Sequence, residues 1–231
     1  MHFSIKLFLK CFIIKFLLLS YYFTPDFCAG SFRCQSLADS FNNNGIVDSV
    51  TILTTSPQRY GHMDNVSNSE KIGKVNIIRF NTPEHKNKFY RQVIAYSFFA
   101  FKAIKYSLKH SKDYNYILST SSRLGTAFAG FIISRFSKKP HFLDLRDVFS
   151  DNLSSLKFSN NIFGKIIIKI IKKIEILVTK NANWINIVSS GFLKYKHIQD
   201  SNVQINIFTN GIDKVFIDNR KNKTFGTLNP K

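Results

Sequence analysis

The chain has 231 residues, 44% of them hydrophobic and 24 of them Phe, which is enough apolar side chain for a sizeable core and excludes a disordered polypeptide. Lys and Arg outnumber Asp and Glu 33 to 14, a formal net charge of +19, so the expected partner is anionic: nucleic acid, an anionic membrane surface or a phosphorylated substrate. The competing explanation is A/T-rich coding, which inflates Lys together with Asn, Ile and Phe.

In chain order, residues 1–11 read as an N-terminal extension that alternates apolar and basic residues and can touch a membrane surface. A signal peptide is the alternative, but Lys15 interrupts the apolar stretch, and the run after it is too short for an h-region or a membrane span. The better reading is a strand from about Phe12 to Leu19. A polar loop with Pro25, Asp26, Ala29 and Gly30 follows, then a helix over Ser31 to Phe41, stopped by Asn42-Asn-Asn-Gly45. Such a strand–loop–helix junction aims free N–H groups and a positive dipole end at one spot, where a phosphate fits. Cys11, Cys28 and Cys34 form no CxxC pair and are odd in number, so they read as free thiols in a reducing compartment.

Asp48 to Thr55 is β-branched and reads as a strand, Ser56 to Lys74 as a loop, and Val75 to Arg79 as another strand. Residues 88–110 carry apolar side chains at helical spacing, with Lys88, Arg91, Lys102, Lys105 and Lys109 on the remaining face. Tyr116 to Ser119 is a short strand, followed by Ser121, Ser122 and a helix to about Phe136. Then come the strand His141 to Asp144, a basic helix over about 160–180, the strand Trp184 to Val188, a short helix capped by Ser189-Ser190, and the strand Val203 to Phe208. The alternation demands an α/β fold: a Rossmann-like parallel sheet with helices on both faces, as one domain over residues 12–216, with 217–231 as linker or tail. Strands should end near Leu19, Thr54, Arg79, Ser119, Asp144, Val188 and Phe208. In such sheets ligands bind outside the carboxyl ends of the strands.

Five segments after these strands carry a resemblance. YYFTPDFCAGSFR (residues 21–33) looks like the first loop of family 4 glycosyltransferases of the GT-B fold, closest to the group that builds O-antigen, lipopolysaccharide and capsule sugars, whose pattern is roughly YYFPPDxGAGSFR. LTTSPQRYG (53–61) is similar to that group's second-strand segment, FLDLRDVFSD (142–151) resembles its DxRDxWPD motif, VSSG (188–191) its "VS" turn, and NGID (210–213) its NGxD segment. Together they cover about residues 13–216. Cys28 stands where the pattern has glycine, which matters if that position needs φ > 0. Gly45-Ile-Val-Asp replaces Gly-His-Glu-Val, and Phe149-Ser150 replaces Trp-Pro.

The resemblance implies the N-terminal, acceptor-side half of a retaining glycosyltransferase, with the C-terminal donor domain lying outside these residues. The donor is then a nucleotide-sugar and the acceptor a lipid-linked saccharide or glycan. The place implied is cytoplasmic, peripheral on the inner face of the cytoplasmic membrane. Asp144, Arg146 and Asp147 are the catalytic candidates, since a carboxylate facing the cleft can orient or deprotonate an acceptor hydroxyl. The alternative is that Arg146 pairs with Asp144 or Asp147 and only fixes the loop. Ala29, Gly30, Arg33, Ser121, Ser189, Asn210 and Gly211 are the substrate-binding candidates. For Arg33 the alternative is a solvated helix-face arginine. No metal and no cofactor is called for.

Lys165, Lys169, Lys172 and Lys173 fall largely on one side of the 160–180 helix, which suits an anionic membrane surface, or equally an ordinary core-facing helix with a lysine-rich solvent face. Two other classes stay open. One is a non-catalytic acceptor-binding subunit, paired with a separate donor-domain chain, or a truncated gene product. The other is a nucleic-acid-binding protein, for which charge is the only sign and no specific motif is present.

Overall fold

The computed structural model describes residues 13–57, 66–84, 89–121, 123–154, 161–201 and 203–211. The N-terminal extension, Cys11, residues 58–61, Lys88, Ser122, Asp213 and the 217–231 tail lie outside these residues. Eight strands form one sheet: β1 (Ile14–Leu19), β2 (Val47–Thr55), β3 (Ser69–Ile72), β4 (Val75–Phe80), β5 (Tyr116–Thr120), β6 (His141–Leu145), β7 (Trp184–Ile187) and β8 (Gln204–Ile207). Their order across the sheet is β3-β4-β2-β1-β5-β6-β7-β8, and every pair is parallel except β3 with β4. The strand ends fall within a residue of those expected from the sequence.

Two elements differ from the sequence reading. The Ser56–Lys74 segment is not all loop, because Ser69–Ile72 adds an antiparallel edge strand to β4. It turns back at Gly73, whose φ of +57° lies in the left-handed region that glycine tolerates. A short helix, Phe149–Ser154, also follows β6 after a three-residue loop.

The sheet is built on β1. Leu17 and Leu19 point into one core with Leu53, Ile117, Phe99 and Ile133, whereas Leu18 points the other way to Val50, Ile52, Cys34 and Ala38. A strand's side chains alternate between faces, so a central strand covered on both sides must be apolar at successive positions. The helices are α1 (Ala29–Asn43), α2 (Phe89–Lys109), α3 (Leu124–Ser137), α4 (Phe149–Ser154), α5 (Ile162–Asn181) and α6 (Lys196–Gln199), with a 3-10 turn over Ser190–Lys194. α1 covers the Leu18 face, and α2 and α3 cover the Leu17 and Leu19 face. α2 packs on α3, α3 on α5 and α5 on α6, so these four form one layer. The chain runs outward from β1 through β2 to β4, then returns to β5 on the other side of β1. That reversal opens a crevice at the carboxyl ends of β1 and β5.

β5 and β6 are locked by a buried polar contact. Ser119 Oγ lies 2.7 Å from His141 Nε2, and the His141 side chain is fully buried. A Cβ on Gly130 of α3 would stand 2.6 Å from that nitrogen, so only glycine lets the helix seat this closely. Burial pushes the His141 pKa down from 6.5 to about 4. Between those values the unfolded chain binds a proton that the folded chain refuses, so stability falls as pH falls. The loss amounts to about 3 kcal/mol across that window. Urea unfolding at pH 7 and pH 4.5 should show it, and His141→Gln should remove most of the difference. An equal acid loss in the variant would assign the effect to other groups.

Candidate functional site

The candidate site is the carboxyl edge of the sheet around the β1–β5 crevice. The loop after β1 is held by its own polar groups: Ser20 donates its hydroxyl to the Tyr22 carbonyl at 2.7 Å, and the Cys34 thiol donates to Ser20 Oγ at 2.9 Å. Burial, with the Asp144 charge adding to it, pushes the Cys34 thiol up to about 11 against the lowering effect of the Ser20 hydrogen bond, and Cys28 and Cys34 are both free. Cys28 is the residue that caps α1, with φ −151° and ψ 159°. That is extended backbone, so a side chain costs nothing where the family pattern has glycine. Cys28 makes no side-chain cap bond, and the first-turn N–H groups of Ala29, Gly30 and Ser31 have no intrahelical acceptor. The Ser31 hydroxyl is buried beside them with no partner among the described residues.

Arg33 and Asp144 form the centre of the site. Arg33 Nε and Nη2 donate to the two oxygens of Asp144 at 2.8 and 2.7 Å. Asn186 of β7 donates its amide to the same carboxylate at 2.6 Å. Arg33 Nη1 reaches Asn210 Oδ1 at 3.2 Å, and the Phe208 and Thr209 carbonyls each lie 3.4 Å from the guanidinium. The pair is well enclosed, with side-chain exposures of 14% for Arg33 and 5% for Asp144. Charge-assisted bidentate bonds of this kind are short and fix both partners. Arg33 is therefore not a solvated helix-face arginine, and the cation that pairs with Asp144 is Arg33 rather than Arg146.

Arg146 is held differently. Its backbone N–H donates to Ser121 Oγ at 2.9 Å, and its Nη2 lies 3.5 Å from the Ala29 carbonyl in the first turn of α1. Its Nε and Nη1 have no partner among the described residues. Ser121 thus spends its hydroxyl bracing the loop after β6, and its own N–H donates to the Asp144 carbonyl at 2.9 Å. Asp147, further along that loop, borders a small cleft of about 10 Å³ with Ser121, Leu124, Glu175 and His197. Glu175 of α5 is buried and accepts the Phe149 and Ser150 N–H groups, so it caps α4 and fixes where the loop ends. Burial raises the Glu175 pKa, and burial with Lys172 nearby lowers that of His197.

The remaining candidates lie further out. Ser189 caps the 3-10 turn by accepting the Gly191 N–H at 3.2 Å, and it is exposed. Asn210 joins the Arg33 network, and Gly211 is exposed beside it with open space around its Cα. Asn186 and Glu175 belong to the site although nothing in the sequence pointed to them. Arg123 belongs too: it lies within 5.6 Å of the Tyr22 ring and 5.1 Å of the Tyr96 ring, at the start of α3. Its place just after β5 is the signal that could have found it. Among the described residues no cluster of His, Cys, Asp or Glu could hold a metal.

Solved structures share this fold. Sucrose-phosphate synthase from Thermosynechococcus elongatus aligns with a TM-score of 0.58 at 13% identity, covering 90% of this chain and 95% of that one. Phytolacca americana UGT2, complexed with UDP-2fluoro-glucose and pterostilbene, aligns at 0.55 and 9% identity, covering 87% and 55%. Anabaena HepE in complex with UDP-glucose aligns at 0.50 and 11% identity, covering 87% and 44%. The chain spans about half the length of the latter two. At these identities the likeness defines the fold: an α/β, Rossmann-like lobe of the GT-B kind. No protein-family model and no curated protein matches the sequence.

The Arg33–Asp144 pair yields a stability test. Asp144→Asn leaves the guanidinium and the Asn186 amide facing an uncharged group in an enclosed place. Breaking a buried pair in this way costs about 3–5 kcal/mol. Arg33→Lys should also destabilise, because a point charge cannot make the two-pronged bond. Urea midpoints measured with unchanged slopes check both; a variant as stable as the parent would show the pair to be ornamental.

Proposed function

We propose that the chain is the N-terminal, acceptor-side lobe of a retaining glycosyltransferase of the family 4 type. It would move a sugar from a nucleotide-sugar to a lipid-linked or polysaccharide acceptor in O-antigen or capsule synthesis. The donor-binding lobe is supplied by further polypeptide, in the same chain or a separate one. The observation that carries this reading is the Arg146 guanidinium, with Nε and Nη1 unpartnered among the described residues, beside the first turn of α1 at the crevice where the sheet reverses direction. An N–H array and an unpaired guanidinium are the donors that a diphosphate requires. The fold shared with proteins solved in complex with UDP-glucose or UDP-2fluoro-glucose supports the same reading.

In this reading each group has a separate task. The bond from the sugar's anomeric carbon to the diphosphate oxygen breaks, and a bond from that carbon to the acceptor oxygen forms. The leaving diphosphate takes up the negative charge, which Arg146 and the N–H groups of Ala29 and Gly30 stabilise. The acceptor hydroxyl loses its proton, and Asp147, the carboxylate on the cleft, is placed to orient it or take the proton. Asp144 has no such freedom, since both its oxygens are bonded, so it acts by holding Arg33 and Asn186.

The purified chain should show no sugar transfer by itself, because the charge that develops would face open water. A nucleoside diphosphate should nonetheless perturb the amide resonances of Ala29 to Ser31, and Arg146→Gln should abolish that response. Perturbation confined to other regions would overturn the assignment. Joined to a competent donor lobe, Asp147→Asn should remove most transfer activity while leaving thermal unfolding unchanged. A variant that melts early yet transfers normally, corrected for its folded fraction, would assign Asp147 to the scaffold.

A further inference from the structure

α5 leaves in water much of the apolar surface that its sequence offers for burial. Its buried stripe is Gly164, Glu175, Val178 and Thr179. Phe163 is 76% exposed, and Ile162, Ile166, Ile167, Ile170 and Leu177 are exposed as well. Phe163, Ile166 and Ile170 follow one another at helical steps and form a stripe along the flank. Lys165, Lys169, Lys172 and Lys173 are exposed on the adjoining sector. The lysines therefore lie beside an exposed apolar stripe, not opposite a buried one.

α2 repeats the pattern. Tyr90, Ile94, Phe98 and Phe101 are exposed and recur on one face, with Phe101 at 66%. Lys102 Nζ sits 4.7 Å over the Phe98 ring, and Lys105 and Lys109 are exposed one and two turns further on. Since α2, α3 and α5 form one layer, both stripes belong to the outer surface of that layer. Phe136, at the end of α3, is exposed on the helix between them.

We propose that this outer surface docks onto an anionic phospholipid bilayer, with α2 and α5 lying in the headgroup plane. A nucleic acid would satisfy the lysines but leave the isoleucines and phenylalanines in water. A purely apolar partner would strip water from the lysines without replacing it. A bilayer interface accepts both: acyl chains take the apolar stripe, and anionic headgroups take the lysines. The net charge of +19 has the matching sign. No described helix is long and apolar enough to cross a membrane, so the contact is interfacial.

The orientation follows from topology. In a parallel sheet each crossover helix runs opposite to the strands, so α2 and α5 begin at the carboxyl edge. Tyr90 and Phe163 thus stand toward the candidate site, which lies at one end of the docked layer. The docking surface does not depend on the sugar-transfer reading. With that reading, it implies an acceptor presented at the membrane surface.

The test is co-sedimentation of the purified chain with phosphatidylcholine vesicles, with or without phosphatidylglycerol. Binding should require the anionic lipid and weaken steeply as salt rises, because screening sets in beyond about 8 Å at physiological ionic strength. Replacing Lys165, Lys169, Lys172 and Lys173 by Gln should weaken partition more than about a hundredfold, at roughly fivefold for each lysine. Phe163→Ser, Ile166→Ser and Ile170→Ser together should weaken it with the charge unchanged, and their exposed positions should leave thermal unfolding intact. Equal binding to neutral and anionic vesicles, no binding, or full binding by the serine variant would overturn the proposal. So would concentration-dependent dimerisation abolished by the same serines, which would assign the stripe to a second copy. Absence of sugar transfer leaves the vesicle result untouched, so the two readings fail separately.

Discussion

The carboxyl edge of this sheet is organised by one ion pair, Arg33 with Asp144. Arg33 comes from α1 and Asp144 from the end of β6, and Asn186 of β7 and the exit of β8 are bonded to the same cluster. Four elements far apart in sequence are thereby held at one point. A hydrophobic contact would hold them as firmly, since buried ion pairs often add little net stability. What the pair adds is direction. A planar guanidinium meeting a carboxylate in two bonds fixes the rotation of α1 about its axis and so the aim of its first turn. Neighbouring Arg146 inherits that placement through the Ala29 carbonyl.

Below this edge the fold is ordinary packing. β1 contributes successive leucines to two cores, and the contact between His141 and Ser119 sets the spacing of β5, β6 and α3. Gly130 is a consequence of that spacing, since a methyl group there would meet the imidazole. Further along, Glu175 reaches from α5 to cap α4 and so fixes the far end of the loop that carries Arg146 and Asp147. The loop is thus pinned at both ends, by Ser121 and by Glu175, while Asp147 borders the cleft.

The parts legible in the sequence were those that burial writes as a pattern. Central parallel strands are apolar runs ended by small polar residues, so their carboxyl ends were readable, and with them the positions that face the crevice. β3 was not readable, because an edge strand such as Ser69–Ile72 is exposed and its Ser-Glu-Lys-Ile has no alternating code. The partner of Asp144 was not readable either. The nearest arginine in sequence is Arg146, two residues on, whereas the one that pairs is 111 residues away; only the folded sheet brings the Arg33 side chain to the end of β6. The apolar content of α5 was visible, but not that it exceeds what the sheet beneath can cover. A helical pattern gives the direction of a face, not the width of its partner.

Arg33 and Arg146 play opposite electrostatic parts at this edge. Arg33 is neutralised by a carboxylate and by carbonyl oxygens, so its charge is spent within the fold. Arg146 keeps two guanidinium nitrogens without a partner among the described residues. Leaving such donors unmet costs the folded state about 1–3 kcal/mol, and more where they are charged. A sequence under selection for stability alone would place a carboxylate there or remove the charge. Asp144 is close at hand, yet it is committed to Arg33 and Asn186 and cannot turn. The arrangement therefore withholds Asp144 from Arg146 and keeps an unmet cation beside the first-turn N–H groups of α1. Nε and Nη1 are enclosed by protein, so an external anion meets them only when the side chains around Arg146 shift to admit it, and the unmet bonds are what such a shift would recover.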